Sequence, residues 1–158
     1  MEKPRRDESA LLIRSYRAHA TIERARRWRM HDPYSQINLA EIEDAAPANG
    51  FSDRWQARGA RTALGAQQTG VTHFRLLAGK RSPFLHRHGS AEEIYVILSG
   101  TGRVKLDDDF LDVRTLDAIR VAPEVARAFE AGSDGLEFLA FGPHHPGDGE
   151  PVDDDWVK

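Results

Sequence analysis

Residues 79–100 read GKRSPFLHRHGSAEEIYVILSG, and this segment decides both the fold class and the candidate site. His86 and His88 are two residues apart, so on a β-strand both imidazoles point to the same face and can reach one divalent ion. Glu93 follows His88 after an odd number of residues, which would place it on the opposite face of an unbroken strand. The small residues 89–91, Gly-Ser-Ala, permit a turn that returns Glu93 to the face of the histidines and points Glu92 away.

Two imidazole nitrogens and one carboxylate form a ligand set that leaves coordination positions open. Such a set suits Fe(II), Mn(II), Ni(II), Zn(II) or Co(II), whereas Ca(II) and Mg(II) prefer oxygen ligands alone. Open positions permit water activation, polarisation of a carbonyl, or dioxygen binding. A lone His-x-His on a strand is more often incidental than a site. The accompanying spacing of Glu93 and the flanking glycines favours a metal site here.

The residues around this segment have the period of β-strands. The continuous apolar run Ile94–Leu98 predicts a strand covered on both faces. Residues 107–109 predict a turn, and residues 132–135, Gly-Ser-Asp-Gly, predict a hairpin between the flanking apolar stretches. Many short strands separated by turns are typical of an all-β barrel or sandwich.

The two ends of this region have different signals. Asn38 and Glu41 indicate the N-cap and first turn of a short helix. From Gly142 onward Pro, Gly and Asp dominate the sequence. We therefore expect an acidic C-terminal tail that is anchored at best by Trp156.

Composition excludes several classes of site. The 158 residues contain no cysteine, which excludes disulfides, thiolate metal sites, Fe–S clusters and cysteine nucleophiles. The net charge of −3 gives no general case for nucleic-acid binding. No apolar run approaches the roughly 20 residues of a membrane helix, and the start of the chain lacks the pattern of a secretory signal. We expect a cytoplasmic protein with neither a nucleic acid nor a membrane as partner.

The N-terminal segment differs in charge from the rest of the chain. Residues 1–29 contain nine Lys or Arg and four Asp or Glu, whereas the remainder has an acidic surplus. Apolar residues recur there at roughly helical spacing until Asp32-Pro33. We predict a basic helical arm over residues 1–31 and a single domain over residues 32–158. Met30 leaves open a later start, in which case the arm would not be native.

The segment 79–100 resembles the first motif of the cupin superfamily, in which a glycine precedes His-x-His, a glutamate and a second glycine. His86, His88, Glu93 and Gly100 fall on this motif, and Gly79 lies one residue further from His86 than is usual. The resemblance covers about residues 70–142. It is to small single-domain cupins of the second type, many of which have no known activity.

The second cupin motif is matched only in part, over residues 116–129. Asp117 and Pro123 fit the motif, whereas Leu116 and Glu124 stand where glycines are usual. Arg127 falls where the third metal-binding histidine would be.

The resemblance implies an all-β, cupin-like jelly-roll β-barrel of about six to eight strands. We expect its core at about residues 54–142, after the short N-terminal helical arm predicted above. The resemblance also implies a homodimer. For function it implies a divalent transition metal (Fe, Mn, Ni, Zn or Co) held by His86, His88 and Glu93 in the barrel. Dioxygenase, isomerase or decarboxylase chemistry on a small polar or acidic metabolite would follow. Whether the chain turns over a substrate stays open.

Arg127 leaves alternatives open, because a guanidinium cannot ligate a metal. The three ligands and water could hold the ion, or a further histidine could complete the set, the candidates being His73, His144 and His145. Alternatively, the metal is absent and the cavity binds a sugar or carboxylate without catalysis, with Arg127 as the ligand of a carboxylate or phosphate group. In a fourth interpretation Arg127 pairs with Glu93 and the pocket is structural.

Two residues are candidates for catalysis if the protein is an enzyme. Arg127 would orient or neutralise an acidic substrate. Tyr95 could act as a general acid facing the cavity, although a core tyrosine with a satisfied hydroxyl is the simpler interpretation.

Overall fold

The structure is a computed structural model that describes residues 33–157. The basic helical arm predicted over residues 1–31 and the alternative start at Met30 lie outside the described residues. The barrel belongs to the second of the chain's two units, Gln36–Lys158. Within residues 33–157, none of the helices combines the length and the apolar character needed to cross a bilayer.

Eight antiparallel strands form the domain, which confirms the predicted all-β jelly-roll class. The strands are β1 Trp55–Gly59, β2 Thr69–Leu76, β3 Leu85–His88, β4 Glu93–Leu106, β5 Asp109–Arg114, β6 Ala118–Val121, β7 Arg127–Pro143 and β8 Gly149–Val152. A short α-helix, α1, spans Arg61–Leu64, and three 3₁₀ helices span Leu39–Glu41, Pro47–Asn49 and Asp155–Val157. The Asn38 side chain accepts a hydrogen bond from the amide of Ala40 at 3.0 Å, so the predicted N-cap is confirmed.

The sheet curls because its two long strands, β4 and β7, each pair with several neighbours. One path runs in the order β1-β2-β7-β3-β8, while β4 pairs with β5, β6 and β7. The second half of β7 lies between β2 and the start of β4, and its first residues pair with the end of β4. This arrangement turns one face of every strand towards a common interior.

That interior is packed with aliphatic and aromatic side chains from alternate strand positions. Phe129 and Phe138 stack at 4.3 Å between ring centroids, and Phe74 and Trp55 continue the stack on the β2 side. Burying such rings is a large favourable contribution to folding. The largest fully buried apolar side chains are Phe138, Leu76, Leu85, Ile97, Leu136, Val104 and Val121.

The prediction that Ile94–Leu98 is covered on both faces is wrong: no segment of residues 33–157 covers its outer face. Tyr95 and Ile97 are buried, but Ile94 is 44% exposed and Leu98 is 39% exposed. The strand belongs to a single antiparallel sheet that packs its interior face only, so alternate side chains reach the outer surface. The continuous apolar run therefore forms a strand with one face buried in the interior and the other face exposed.

The predicted hairpin at residues 132–135 is also wrong. The chain does not reverse there, because β7 runs continuously from Arg127 to Pro143. Gly100 and Gly102 of β4 pair with Leu136 and Ala131, so the residues between them bulge out of the ladder. Gly100 has a φ of 80°, and a Cβ at Gly100 would collide with the carbonyl oxygen of Gly135. The glycines here allow β4 and β7 to approach each other closely, and they do not form a turn.

The expectation of a loosely anchored tail is wrong for Gly149–Val152. This segment is strand β8, which pairs with β3 so that His88 faces Gly149 in the ladder. The predicted anchor at Trp156 is real, since the guanidinium carbon of Arg81 lies 4.7 Å from the centre of its ring. The tail thereby secures the strand that bears the two histidines.

Candidate metal centre

Local structure brings His86, His88 and Glu93 together as the spacing predicts. The two histidines lie on β3, which is held between the start of β7 and β8. Glu93 is the first residue of β4, and the intervening turn restores it to the inner face. Their potential ligand atoms all lie within 4.8 Å of one another, and no other group of this kind occurs among residues 33–157.

The distances fit a single ion. The Nε2 atoms of His88 and His86 lie 3.4 Å and 3.8 Å from Oε2 of Glu93. Two ligands about 2.1 Å from one ion at a tetrahedral angle are about 3.4 Å apart. Nε2 of His88 is buried without a hydrogen-bond partner, and such a nitrogen costs free energy until a cation or donor satisfies it. The residues present therefore fit a divalent transition metal.

Asp148 supports the site from the tail and was missed by sequence analysis. Its carboxylate accepts hydrogen bonds from the amides of Ser90 and Ala91 at 2.9 Å and 3.0 Å, which fixes the turn before Glu93. Oδ2 of Asp148 also lies 3.2 Å from Nδ1 of His88. Nδ1 of His88 makes no hydrogen bond in this geometry, but a carboxylate placed behind a histidine can orient its ring for metal binding. Asp148 is 60 residues from His88 in a Gly- and Asp-rich stretch, so no local spacing pointed to it.

The electrostatics of the triad favour its ligating form. Burial lowers the pKa of His88, and the charge of Arg127 lowers it further against the opposing effect of Glu93. Burial by itself would raise the pKa of Glu93. The contact with His86, the hydrogen bond from Tyr95 and the charge of Arg127 leave the pKa of Glu93 below its ordinary value. A neutral imidazole and an ionised carboxylate are the forms that bind a metal.

Arg127 is fully buried beside the triad, opposite His86 in the strand ladder. Its two terminal nitrogens donate to the carbonyl oxygens of Pro123 and Ala122 at 3.2 Å and 3.3 Å. Its Nε lies 3.6 Å from Oε2 of Glu93. The residue in the third-histidine position thus faces the carboxylate ligand and balances its charge.

Tyr95 also contacts Glu93 in the cavity. Its hydroxyl donates a hydrogen bond to Oε2 of Glu93, and the side chain is buried. Burial, and next the charge of Glu93, raise the pKa of Tyr95 well above its ordinary value. The phenol therefore keeps its proton at neutral pH.

The remaining histidine candidates do not join the triad. Nε2 of His73 lies 2.6 Å from Oε1 of Glu137, away from the cavity lining. His144 is exposed at the cavity wall, and His145 is exposed in the tail. None of the three belongs to the cluster of potential ligands.

The triad forms the polar end of a cavity of about 510 Å³. Aromatic side chains line the walls, with Phe84 in edge contact with His86 at 5.6 Å between ring centroids. An apolar cleft with a few converging polar groups is the usual form of a small-molecule site. The aromatic members of the lining are Phe51, Trp55, Phe74, Phe84, Tyr95, Phe129 and Phe138.

No family model and no curated protein matches the sequence, but solved structures do. A cupin protein from Bacteroides fragilis is 26% identical over 73% of this chain and 88% of its own, with a TM-score of 0.59. A sugar phosphate isomerase of the cupin superfamily from Silicibacter pomeroyi is 21% identical over 77% of this chain and 83% of its own, with a TM-score of 0.63.

A third similar structure is oxalate decarboxylase from Bacillus subtilis. It is 18% identical over 77% of this chain and 33% of its own, with a TM-score of 0.63. The likenesses to the isomerase and to the decarboxylase, at 21% and 18% identity, concern the fold alone. Together with the first motif, these structures confirm the resemblance to the cupin superfamily that the sequence carries, and the chain has the cupin fold.

Proposed function

We propose that the chain holds a divalent transition metal through His86, His88 and Glu93 and acts on a small polar or acidic metabolite bound in the barrel. The observation that carries this proposal is the convergence of three ligand atoms in a cavity lined by aromatic side chains. A buried Nε2 without a partner on His88 adds to it. Fe, Mn, Ni, Zn and Co all suit the donor set.

The reaction class follows from what such an ion does. A bound divalent cation would polarise a carbonyl or activate a water in its open positions. Arg127 would hold Glu93 in place and balance its charge. Tyr95 retains its proton and donates a hydrogen bond to Oε2 of Glu93. Its role would be to position that carboxylate and not to act as a base, and it would donate to substrate only by giving up this contact. Isomerase, decarboxylase or dioxygenase chemistry is consistent with these roles.

The names of two similar structures support the substrate class. One is a sugar phosphate isomerase and the other an oxalate decarboxylase, so both act on small anionic molecules. The homodimer and the cytoplasmic location predicted from the sequence remain predictions for this chain.

The alternative is a metal-free binding protein in which Arg127 holds the anion of a sugar derivative or a carboxylate. Arg127 already donates to two backbone carbonyls and faces Glu93. An anion at this position would have to compete with the Glu93 carboxylate and bear its repulsion. The geometry therefore supports the metal site over this alternative.

Elemental analysis of protein purified without a histidine tag tests the proposal. We expect about one transition-metal ion per chain in the wild type and loss of the ion in the His86→Ala/His88→Ala variant. The His73→Ala/His145→Ala variant is the matched control, because it removes the same number of histidines outside the triad and should keep the metal. Circular dichroism checks that each variant is folded. Metal retained by the His86→Ala/His88→Ala variant, or absent from all three proteins, would overturn the assignment.

A further inference from the structure

Besides Arg127, the cavity contains a second arginine, Arg61. Its guanidinium donates to no carboxylate or carbonyl oxygen in the part of the chain that the structure describes. Arg61, the first residue of α1, lines the same cavity as the triad. Its Nε is buried without a hydrogen-bond partner. Most other arginines of residues 33–157 donate to a carboxylate or a carbonyl, as Arg54, Arg58, Arg81, Arg87, Arg103, Arg120 and Arg127 do.

The backbone beneath Arg61 explains why its side chain lies in the cavity. A Cβ built on Gly70 would be 3.3 Å from Cβ of Arg61, and the next two carbons of the side chain follow at 3.8 Å and 3.7 Å. The aliphatic stem of Arg61 therefore lies along the inner face of β2 at a position that has no side chain. This leaves the guanidinium beside open cavity.

A row of glycines connects Arg61 to the triad. Gly70 of β2 faces Gly142 of β7 in the ladder, and a Cβ on Gly142 would lie 3.1 Å from Cγ of Glu93. Directly opposed residues of an antiparallel pair point to the same face. The guanidinium of Arg61 and the carboxylate of Glu93 thus border one inner surface whose floor, over two strand spacings of about 5 Å each, carries no side chain.

We propose that Arg61 binds an oxyanion, the carboxylate or phosphate group of a ligand whose other end lies at His86, His88 and Glu93. This inference rests on the proposed function for the identity of that second end, and it specifies the substrate class as a short-chain acid or phosphate ester. A guanidinium recognises both kinds of oxyanion through paired N–H donors. The glycine floor provides room for the carbon skeleton between the two ends. The anion then binds away from Arg127, whose two terminal nitrogens donate to backbone carbonyls and whose Nε faces Glu93.

The test measures ligand binding by isothermal titration calorimetry, with metal content recorded for every sample. The probes are two charged molecules and their counterparts without the distal charge: glutarate against monomethyl glutarate, and glycerol 3-phosphate against glycerol. Because the two pairs differ in the oxyanion, they also distinguish a carboxylate from a phosphate ligand. Arg61→Gln is the test variant. Arg75→Gln is the control, since it removes the same charge from an exposed position outside the cavity lining.

We expect wild type to prefer at least one charged probe to its counterpart. Arg61→Gln should weaken that probe about 10-fold to 100-fold, the worth of a charge-assisted hydrogen bond, while Arg75→Gln leaves it unchanged. The inference is overturned if wild type shows no such preference, or if Arg61→Gln behaves like Arg75→Gln. Metal content separates the two proposals. An unchanged metal load with no effect of Arg61→Gln refutes only this inference, and Arg61-dependent binding without metal refutes only the metal site.

Discussion

Glu93→Gln is the substitution that tests how the buried charges of this site are balanced. Arg127 is fully buried, and its Nε lies 3.6 Å from Oε2 of Glu93. At an effective dielectric constant of about 20, two unit charges at this separation attract by about 4–5 kcal/mol. Glutamine keeps the size of the side chain and an acceptor for the Tyr95 hydroxyl, so the substitution removes the charge and little else.

The expected loss of stability is about 3 kcal/mol, because the substitution leaves a buried guanidinium without its counter-charge. Urea unfolding of the metal-free protein at pH 7 measures it, and the midpoint should fall by about 1–2 M. A chelator must be present throughout, since a bound cation would change the balance. Adding Arg127→Met to Glu93→Gln should recover part of the loss, because the unpaired charge is then gone.

Glu92→Gln is the matched control. Glu92 is the neighbouring residue and pairs with Arg120 at 2.6 Å, but both side chains are at least half exposed. Exposed pairs of this kind contribute less than about 1 kcal/mol. If Glu93→Gln costs no more than Glu92→Gln, the reasoning that Glu93 stabilises Arg127 is refuted.

Two further predictions follow from individual contacts. Leu116 has a φ of 72° and is 82% exposed, so Leu116→Gly should relieve about 1–2 kcal/mol of backbone strain against about 0.5–1 kcal/mol of added chain flexibility. Differential scanning calorimetry should show a Tm about 2–4 °C higher, and an unchanged or lower Tm would contradict this explanation. Asp148→Asn should weaken metal binding about 10-fold to 100-fold, because Oδ2 of Asp148 supports Nδ1 of His88. A competition titration against a metal chelator measures the change, and an affinity equal to that of Glu92→Gln would show that Asp148 does not orient the ring.

The three candidate metal ligands could be predicted from sequence because their geometry is local. His86 and His88 share a face through the two-residue period of a strand, and a short turn of small residues returns Glu93 to them. The position of Leu116 is informative in the same way. Leu116 stands where the second cupin motif usually has glycine, and its φ of 72° is a left-handed conformation that favours glycine.

Local sequence patterns were misleading where the same pattern is compatible with two different structures. The Gly-Ser-Asp-Gly sequence at residues 132–135 is typical of a hairpin turn, yet it forms a bulge within one continuous strand. The apolar run Ile94–Leu98 is typical of a strand covered on both sides, yet Ile94 and Leu98 are exposed on its outer side. Neither choice is encoded within the segment, because pairing with β4 or β7 decides it.

By itself, the sequence determined the strand-rich class, the cupin motif and the three candidate ligands, since these depend on residues within about one strand and one turn of each other. Only the tertiary structure shows that Asp148 lies behind His88 and that Arg127 faces Glu93. The same is true of the packing of Arg61 against Gly70. Those three side chains come from segments far apart in the chain, and their positions follow from how β2, β3, β7 and β8 pair. The register of strand pairing, which no local sequence pattern specifies, therefore decides which distant side chains contact the candidate ligands and which charges lie beside them.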